Sequence, residues 1–197
     1  TMHHSGEPRN DKHRFEIIIG AILTQNTSWK NVEKALENLS RNKLLSIEKI
    51  RKINQEKLAK LIRSAGYYNQ KAERLKIIAD FLSENPMEKL DKLSTEELRK
   101  RLLDIKGVGP ETADSIILYA FQKPIFVIDA YSKKIFERLG FKEKTYDELQ
   151  KLFMDNLKSN HNIFNEYHAL LVELGKNCCR KKPICKECPI TDYCDKK

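Results

Sequence analysis

The sequence predicts an all-α protein, and three observations predict it. Apolar residues recur at helical spacing in segment after segment, as at Val32, Ala35, Leu36 and Leu39. No stretch shows the strict alternation of apolar and polar residues that marks a half-buried strand. Helix starts and stops punctuate the chain at short intervals, which favours helices joined by short connections. There are no internal repeats and no low-complexity segments.

In chain order, residues 1–12 are polar and are expected to form a disordered tail. Phe15 to Leu23 is an apolar helical segment leading into Thr24-Gln25-Asn26-Thr27. Uncharged donors at a junction between two apolar helices suit a helix cap, at Asn26 or Thr27. The helix carrying Val32 to Leu39 follows, then two short amphipathic runs between Ile47 and Arg63. Gly66 fits the cap of the preceding helix. Ala65-Gly66-Tyr67-Tyr68-Asn69-Gln70-Lys71-Ala72 opens a helix through Leu82, which Asn85-Pro86 ends. Ser94 with Glu97 three residues on is a capping box. Leu102 to Asp129 has the organising role. Gly107-Val108-Gly109 is a tight turn whose glycines permit positive φ and close approach of a partner. Pro110 fits the first position of the next helix, and Glu111 suits its positive end. Such a turn beside a helix N-terminus presents bare N–H groups that suit a phosphate. Lys123-Pro124 breaks that helix, and the short buried run Ile125 to Ile128 delivers Asp129 to the start of a helix over Ala130 to Leu139, closed by Gly140. Tyr146 to Leu157 and Phe164 to Gly175 are the last helices. His168 on the latter reads as a packed or solvent-facing residue rather than a ligand.

Composition narrows the partner. Lys and Arg number 37 against 28 Asp and Glu, a net charge of +9 over 197 residues. Such an excess favours a polyanion, either nucleic acid or an anionic membrane surface. No apolar run approaches the length of a membrane span and no signal peptide is apparent, so a soluble cytoplasmic protein is expected, nucleoid-associated in a prokaryote. Cys178, Cys185, Cys188 and Cys194 have the spacing C-x6-C-x2-C-x5-C. Four thiols in one short loop suit zinc or an iron–sulfur cluster. Zinc ribbons usually pair two C-x2-C knuckles, and this loop has one. Cys179 is an alternative first ligand.

The Leu102–Asp129 stretch, together with the cysteine spacing and Lys182-Pro183 before the second cysteine, resembles the helix-hairpin-helix plus Gly-Pro-Asp signature of the endonuclease III superfamily of DNA glycosylases. The resemblance implies two helical lobes with a DNA-binding cleft: a helical barrel over 13–123 carrying the hairpin, and a domain over 124–197 carrying the catalytic-aspartate helix and a [4Fe-4S] cluster on Cys178, Cys185, Cys188 and Cys194. The implied substrate is double-stranded DNA containing a damaged base, handled by a monomer. Asp129 takes the position of the catalytic carboxylate. Gln25 takes that of the residue that plugs the gap left by a flipped base, and Tyr68-Asn69 belongs to a G-x-Y-N-x-K-A element. Gly107, Val108, Gly109, Thr112 and Lys182 are placed on DNA, with a monovalent cation as a further candidate at the hairpin. Trp29, Tyr119 and Tyr131 are candidates to stack on an extruded base, although core packing explains each of them as well. The family's adenine-specific mismatch branch has a glutamate where Ala21 stands here, which sets that branch aside.

One position departs from the pattern. Lyase-active members carry a lysine two residues after the second hairpin glycine, and this chain has Glu111 there. A monofunctional enzyme is therefore expected, releasing uracil, an alkylated purine or a similar damaged or mismatched base. A bifunctional glycosylase/lyase, a non-catalytic iron–sulfur DNA-binding protein and a cluster-dependent electron carrier are the alternatives.

Overall fold

The computed structural model describes residues 10–195, and the chain divides into two compact units on either side of the Gln122–Lys123 bond. Among the described residues there is no strand, and no helix is long and apolar enough to cross a membrane. Residues 1–9 of the expected tail lie outside the description. The rest of that tail is ordered: Asn10 caps the first helix by accepting from the His13 N–H at 3.0 Å, so helix begins inside the stretch read as tail.

The first unit holds eight helices among its described residues: α1 (Asp11–Leu23), α2 (Trp29–Arg41), α3 (Ile47–Lys52), α4 (Gln55–Leu61), α5 (Tyr68–Glu84), α6 (Met87–Asp91), α7 (Thr95–Leu103) and α8 (Pro110–Ala120). From Ile17 to Leu23 every residue of α1 is buried, because α8 packs on one side of it and α5 on another. Arg14 anchors its outer end. Its guanidinium forks onto Asp91 at 2.7 and 2.6 Å, and Nε donates to Ala120 O, joining α1 to α6 and to the end of α8. The Ser94–Glu97 capping box is present in both directions, at 2.8 and 3.1 Å. Gly66, at φ +68°, caps the short 3-10 turn Arg63–Ala65 rather than a helix. Neither Asn26 nor Thr27 caps α2. Ser28 holds that position, Asn26 lies in the left-handed region, and Thr24 closes α1 through Gly20 O. The short α6 was not legible from the sequence, because five residues carry too little periodicity to announce a helix, whereas α5 ends where Asn85-Pro86 marked the break.

Lys71 is the buried cation of this unit, at 1 % exposure. Its ammonium donates to Leu23 O at 2.8 Å and to Ala65 O at 2.7 Å. One residue of α5 thus satisfies the orphan carbonyls at the end of α1 and of the turn before α5. Burial, reinforced by the charge of Arg74, pushes its pKa down to about 8.

In the second unit Ile125–Ile128 is neither helix nor strand and is wholly buried. It is followed by α9 (Ala130–Arg138), α10 (Tyr146–Asn156), α11 (His161–Asn177) and two 3-10 turns, Cys185–Glu187 and Thr191–Tyr193. Phe126 is the centre of this core. Its ring stacks on Phe153 at 3.8 Å and meets Phe164 edge-on at 5.7 Å. Burying such a ring stabilises by about 2–3 kcal/mol. The Phe126 carbonyl, which has no strand to pair with, accepts from Gln150 Nε2 at 2.6 Å. A second capping box, Thr145 with Glu148, starts α10, and Asn160 starts α11 one turn before Phe164.

The Lys71→Met variant should lose about 1–3 kcal/mol at pH 7, since two buried carbonyls lose their donor. The folded pKa of about 8 lies below the ordinary 10.5, so the folded state binds fewer protons between those values. Stability of the wild type relative to the variant should therefore rise as pH climbs from 8 to 10.5. Chemical denaturation of both proteins across that range measures it.

Candidate functional site

The first unit carries the hairpin constellation, and the second carries the Asp129 site and the cysteine loop. In the first, the chain leaves α7, turns through Lys106 to Gly109 and re-enters helix at Pro110. Only Gly107 needs its glycine for conformation, at φ +87°. A Cβ there would stand 2.7 Å from Arg74 Nε, so the Arg74 side chain lies against the turn. Gly109 is extended at φ −98°, ψ 178°, and a Cβ there would meet nothing within 4 Å. Of the two glycines that permit positive φ in this turn, Gly107 adopts it.

The peptide between Gly107 and Val108 points inward. Its carbonyl accepts from Gln25 Nε2 at 3.0 Å, and its N–H donates to Ile105 O at 3.0 Å. Val108's side chain is buried, so this residue can offer a partner only backbone. The Gly107 and Gly109 N–H groups have no acceptor among the described residues. Thr112, placed on DNA by the sequence reading, is buried, and its hydroxyl accepts from Gln25 Nε2 at 2.9 Å. Gln25 Oε1 accepts in turn from Arg74 Nη1. Its amide is thus committed to the hairpin and to α5. The exposed Lys106 pairs with Glu73 at 2.7 Å.

The aromatic candidates divide. Tyr119 is in the core of the first unit. Trp29 is half-buried at the start of α2, with its indole N–H on Glu33 at 2.8 Å. Tyr68, also half-buried, lies under Arg63, whose guanidinium carbon is 5.9 Å from the ring centre.

In the second unit Asp129 is the N-cap of α9. Its Oδ1 accepts from the Ser132 N–H at 2.8 Å and from the Ser132 hydroxyl at 2.9 Å. The other oxygen, Oδ2, faces His168 Nε2 at 3.7 Å, too far for a hydrogen bond. Burial pushes His168 down to about 3, so the imidazole is neutral at physiological pH. His168 thus combines burial with a place beside Asp129, which its position on an apolar helix face did not announce. Ser132 was legible in principle, since a serine three residues after an N-cap aspartate is well placed to bond it. Arg74 was not, because its partner Gln25 lies 49 residues away in sequence. Tyr131 packs against α11 where Gly175 leaves room, and Lys134 Nζ lies 5.2 Å from its ring centre.

All five cysteines are thiols, none in a disulfide. They converge with Arg138, Pro183 and Thr191 on a cavity of about 30 Å³. Burial and the neighbouring Cys188 and Glu187 push the Cys178 thiol up. Among the described residues no three Cys, His, Asp or Glu side chains stand close enough together to hold a metal ion. Arg138, the last residue of α9, donates to Cys179 Sγ at 3.2 Å and to Arg180 O at 2.8 Å, and its own carbonyl accepts from Cys194 Sγ at 3.4 Å. Lys182 is exposed on this loop.

Residues 19–159 match the family model described as HhH-GPD superfamily base excision DNA repair protein. The chain belongs to the HhH-GPD superfamily. A Methanocaldococcus jannaschii protein named provisionally as a DNA repair glycosylase is 52% identical over 188 residues, covering 92% of this chain and 85% of that one. The endonuclease III of Thermotoga maritima is 32% identical over 196 residues, covering 95% and 86%. Among solved structures, the 3-methyladenine DNA glycosylase of H. pylori bound to 1,N6-ethenoadenine is 34% identical, with a TM-score of 0.75 over 82% of this chain and 84% of that one. As an HhH-GPD protein the chain is a base excision repair glycosylase by family, and the hairpin and the Asp129 helix both lie within the matched residues.

Gly175→Ala tests the packing behind Asp129. The added Cβ would stand 2.8 Å from Tyr131 Cβ, a rigid neighbour, so α9 and α11 must separate. A loss of about 1–3 kcal/mol is expected, read as a lowered melting temperature.

Proposed function

We propose that this chain is a monofunctional DNA glycosylase that hydrolyses the N-glycosidic bond of a damaged base flipped out of duplex DNA, with Asp129 as its catalytic carboxylate. The observation that carries the reading is the setting of Asp129, a carboxylate pinned through one oxygen by Ser132 and backed on the other by a neutral, buried imidazole. Water oxygen bonds to the sugar C1′ as the C1′–N bond breaks, and the electron pair of that bond leaves with the base, which takes up a proton. Positive charge builds on the sugar as in other glycosyl transfers, and a fixed carboxylate beside it lowers the barrier. Ser132 keeps that carboxylate from rotating, which removes a reorganisation cost at the moment of reaction. Extruding the base from the stack costs a few kcal/mol. Binding to the phosphate backbone offsets that cost, through the Gly107 and Gly109 N–H groups that no described protein acceptor takes, the exposed Lys182 and the net charge of +9. The gap-filling role that the resemblance gives Gln25 requires its amide to leave the hairpin.

Glu111 supports hydrolysis without strand cleavage. A lyase attacks C1′ with an amine, forms an imine and then eliminates the phosphate. A carboxylate at position 111 cannot form that imine. The other amines around the hairpin are engaged, Lys106 by Glu73 and Lys71 by two buried carbonyls. The bifunctional reading is favoured by the Thermotoga endonuclease III relationship. Alkylated purines head the substrate panel because the H. pylori glycosylase holds 1,N6-ethenoadenine, followed by uracil, thymine opposite guanine and oxidised bases.

The cysteine loop suits a [4Fe-4S] cluster in donor set and sequence spacing, with four thiols at the motif spacing lining one small cavity and a guanidinium beside them to offset thiolate charge. Cys178, Cys185, Cys188 and Cys194 would hold it, with Cys179 bonded to Arg138. Once bound, it would cross-link the basic loop around Lys182.

On the lesion panel, at least one duplex should release its base and leave an intact abasic strand that breaks only on hot alkali. Asp129→Asn should slow release by at least about a hundredfold while DNA affinity is retained. Borohydride added during turnover should trap no covalent complex; efficient trapping lost on replacing one lysine would establish the lyase instead. Protein purified without oxygen should absorb broadly in the visible range, with iron and sulfide in equal amounts near four per chain, whereas a colourless zinc protein would remove the cluster from this reading.

A further inference from the structure

We infer that Arg74 is a positioning residue for the hairpin, acting through Gln25 to hold its phosphate-binding face in place. The inference rests on the proposed binding of DNA phosphate by that hairpin. A glutamine amide has one acceptor end and one donor end, and its neighbours decide which faces where. Arg74 can only donate, so it takes Oε1. Nε2 is then left for Gly107 O and the Thr112 hydroxyl. With its carbonyl held by Gln25 and its N–H by Ile105 O, the Gly107–Val108 peptide cannot turn over. The N–H groups on either side of it, those of Gly107 and Gly109, meet no protein acceptor among the described residues. The stem of Arg74 adds a steric limit, because it fills the space where a side chain at position 107 would sit.

Without the guanidinium, the Gln25 amide is free to reverse and set its oxygen against Gly107 O, an acceptor against an acceptor. The peptide then has no reason to keep its orientation, and the pair of donors loses its geometry. The brace acts before any lesion is met, so it serves binding to undamaged DNA as much as to damaged DNA. A Gln25 that only filled the space of a flipped base would serve the damaged duplex alone.

The test measures affinity for two duplexes of one sequence, one unmodified and one with a tetrahydrofuran abasic site. The proteins are wild type, Arg74→Met, which keeps the stem over Gly107, Gln25→Met, and the double variant, each checked for an unchanged circular dichroism spectrum. Each single variant should weaken binding to both duplexes by about tenfold, and the double variant by about the same factor, because the two residues act as one unit. The slope of log affinity against log salt should not change for Arg74→Met. Three results would overturn the inference: a Gln25→Met loss confined to the abasic duplex, losses that multiply in the double variant, or a salt slope shallower by about one unit for Arg74→Met, the mark of a direct phosphate contact. Should Arg74→Met not fold, Gln25→Met on the two duplexes decides alone, since wild-type affinity for the unmodified duplex would equally overturn the brace. Wild-type protein binding neither duplex would bring down the DNA-binding reading itself, a result distinct from these.

Discussion

The amide of Gln25 is the interaction on which the first unit turns. It sits just past the end of α1, a helix buried from Ile17 to Leu23, and reaches across to a hairpin 82 residues further along the chain. Two cations of α5, one turn apart, hold the arrangement from behind. Lys71 takes the carbonyl that ends α1, and Arg74 takes the amide oxygen. The hairpin is therefore not a loop resting on helices. It is a backbone segment whose Gly107–Val108 peptide is bonded at both ends. Asp114, fully buried on α8, adds stiffness by pairing with Arg99 of α7 at 2.8 Å, so the two helices flanking the turn are locked to each other.

The second unit solves a different problem, which is how to hold one carboxylate still. The buried run before Asp129 has no strand to pair with among the described residues, so aromatic packing of Phe126 and the side chain of Gln150 hold it. The chain then arrives at α9 in a fixed position, and the helix N-terminus itself orients the aspartate. The capping role and the proposed catalytic role are compatible because they use different oxygens. Oδ1 satisfies the helix, while Oδ2 faces a buried, neutral imidazole. The far end of α9 carries Arg138, which bonds the cysteine loop, so the helix that begins at Asp129 ends against the thiols.

Much of this was present in local sequence. The helices announced themselves by periodicity and by their caps, because a capping box or a proline at the first helical position acts over three or four residues. The cysteine spacing and the Gly-Val-Gly turn were equally legible, since their chemistry is carried by neighbours in the chain. Asp129 was legible as an N-cap for the same reason. What the sequence left open was decided by pairs distant in the chain. Nothing local distinguishes Arg74 from any other arginine on a helix, or His168 from a histidine facing water; only packing removes the solvent that would keep the imidazole near its ordinary pKa. Thr112 and Val108 read as contact residues and proved to be interior, because the turn's sequence does not say which way its middle peptide faces. That direction is set by Gln25, and the direction of Gln25 by a guanidinium 49 residues away, since an amide's two ends differ only in which partners tertiary structure brings to them.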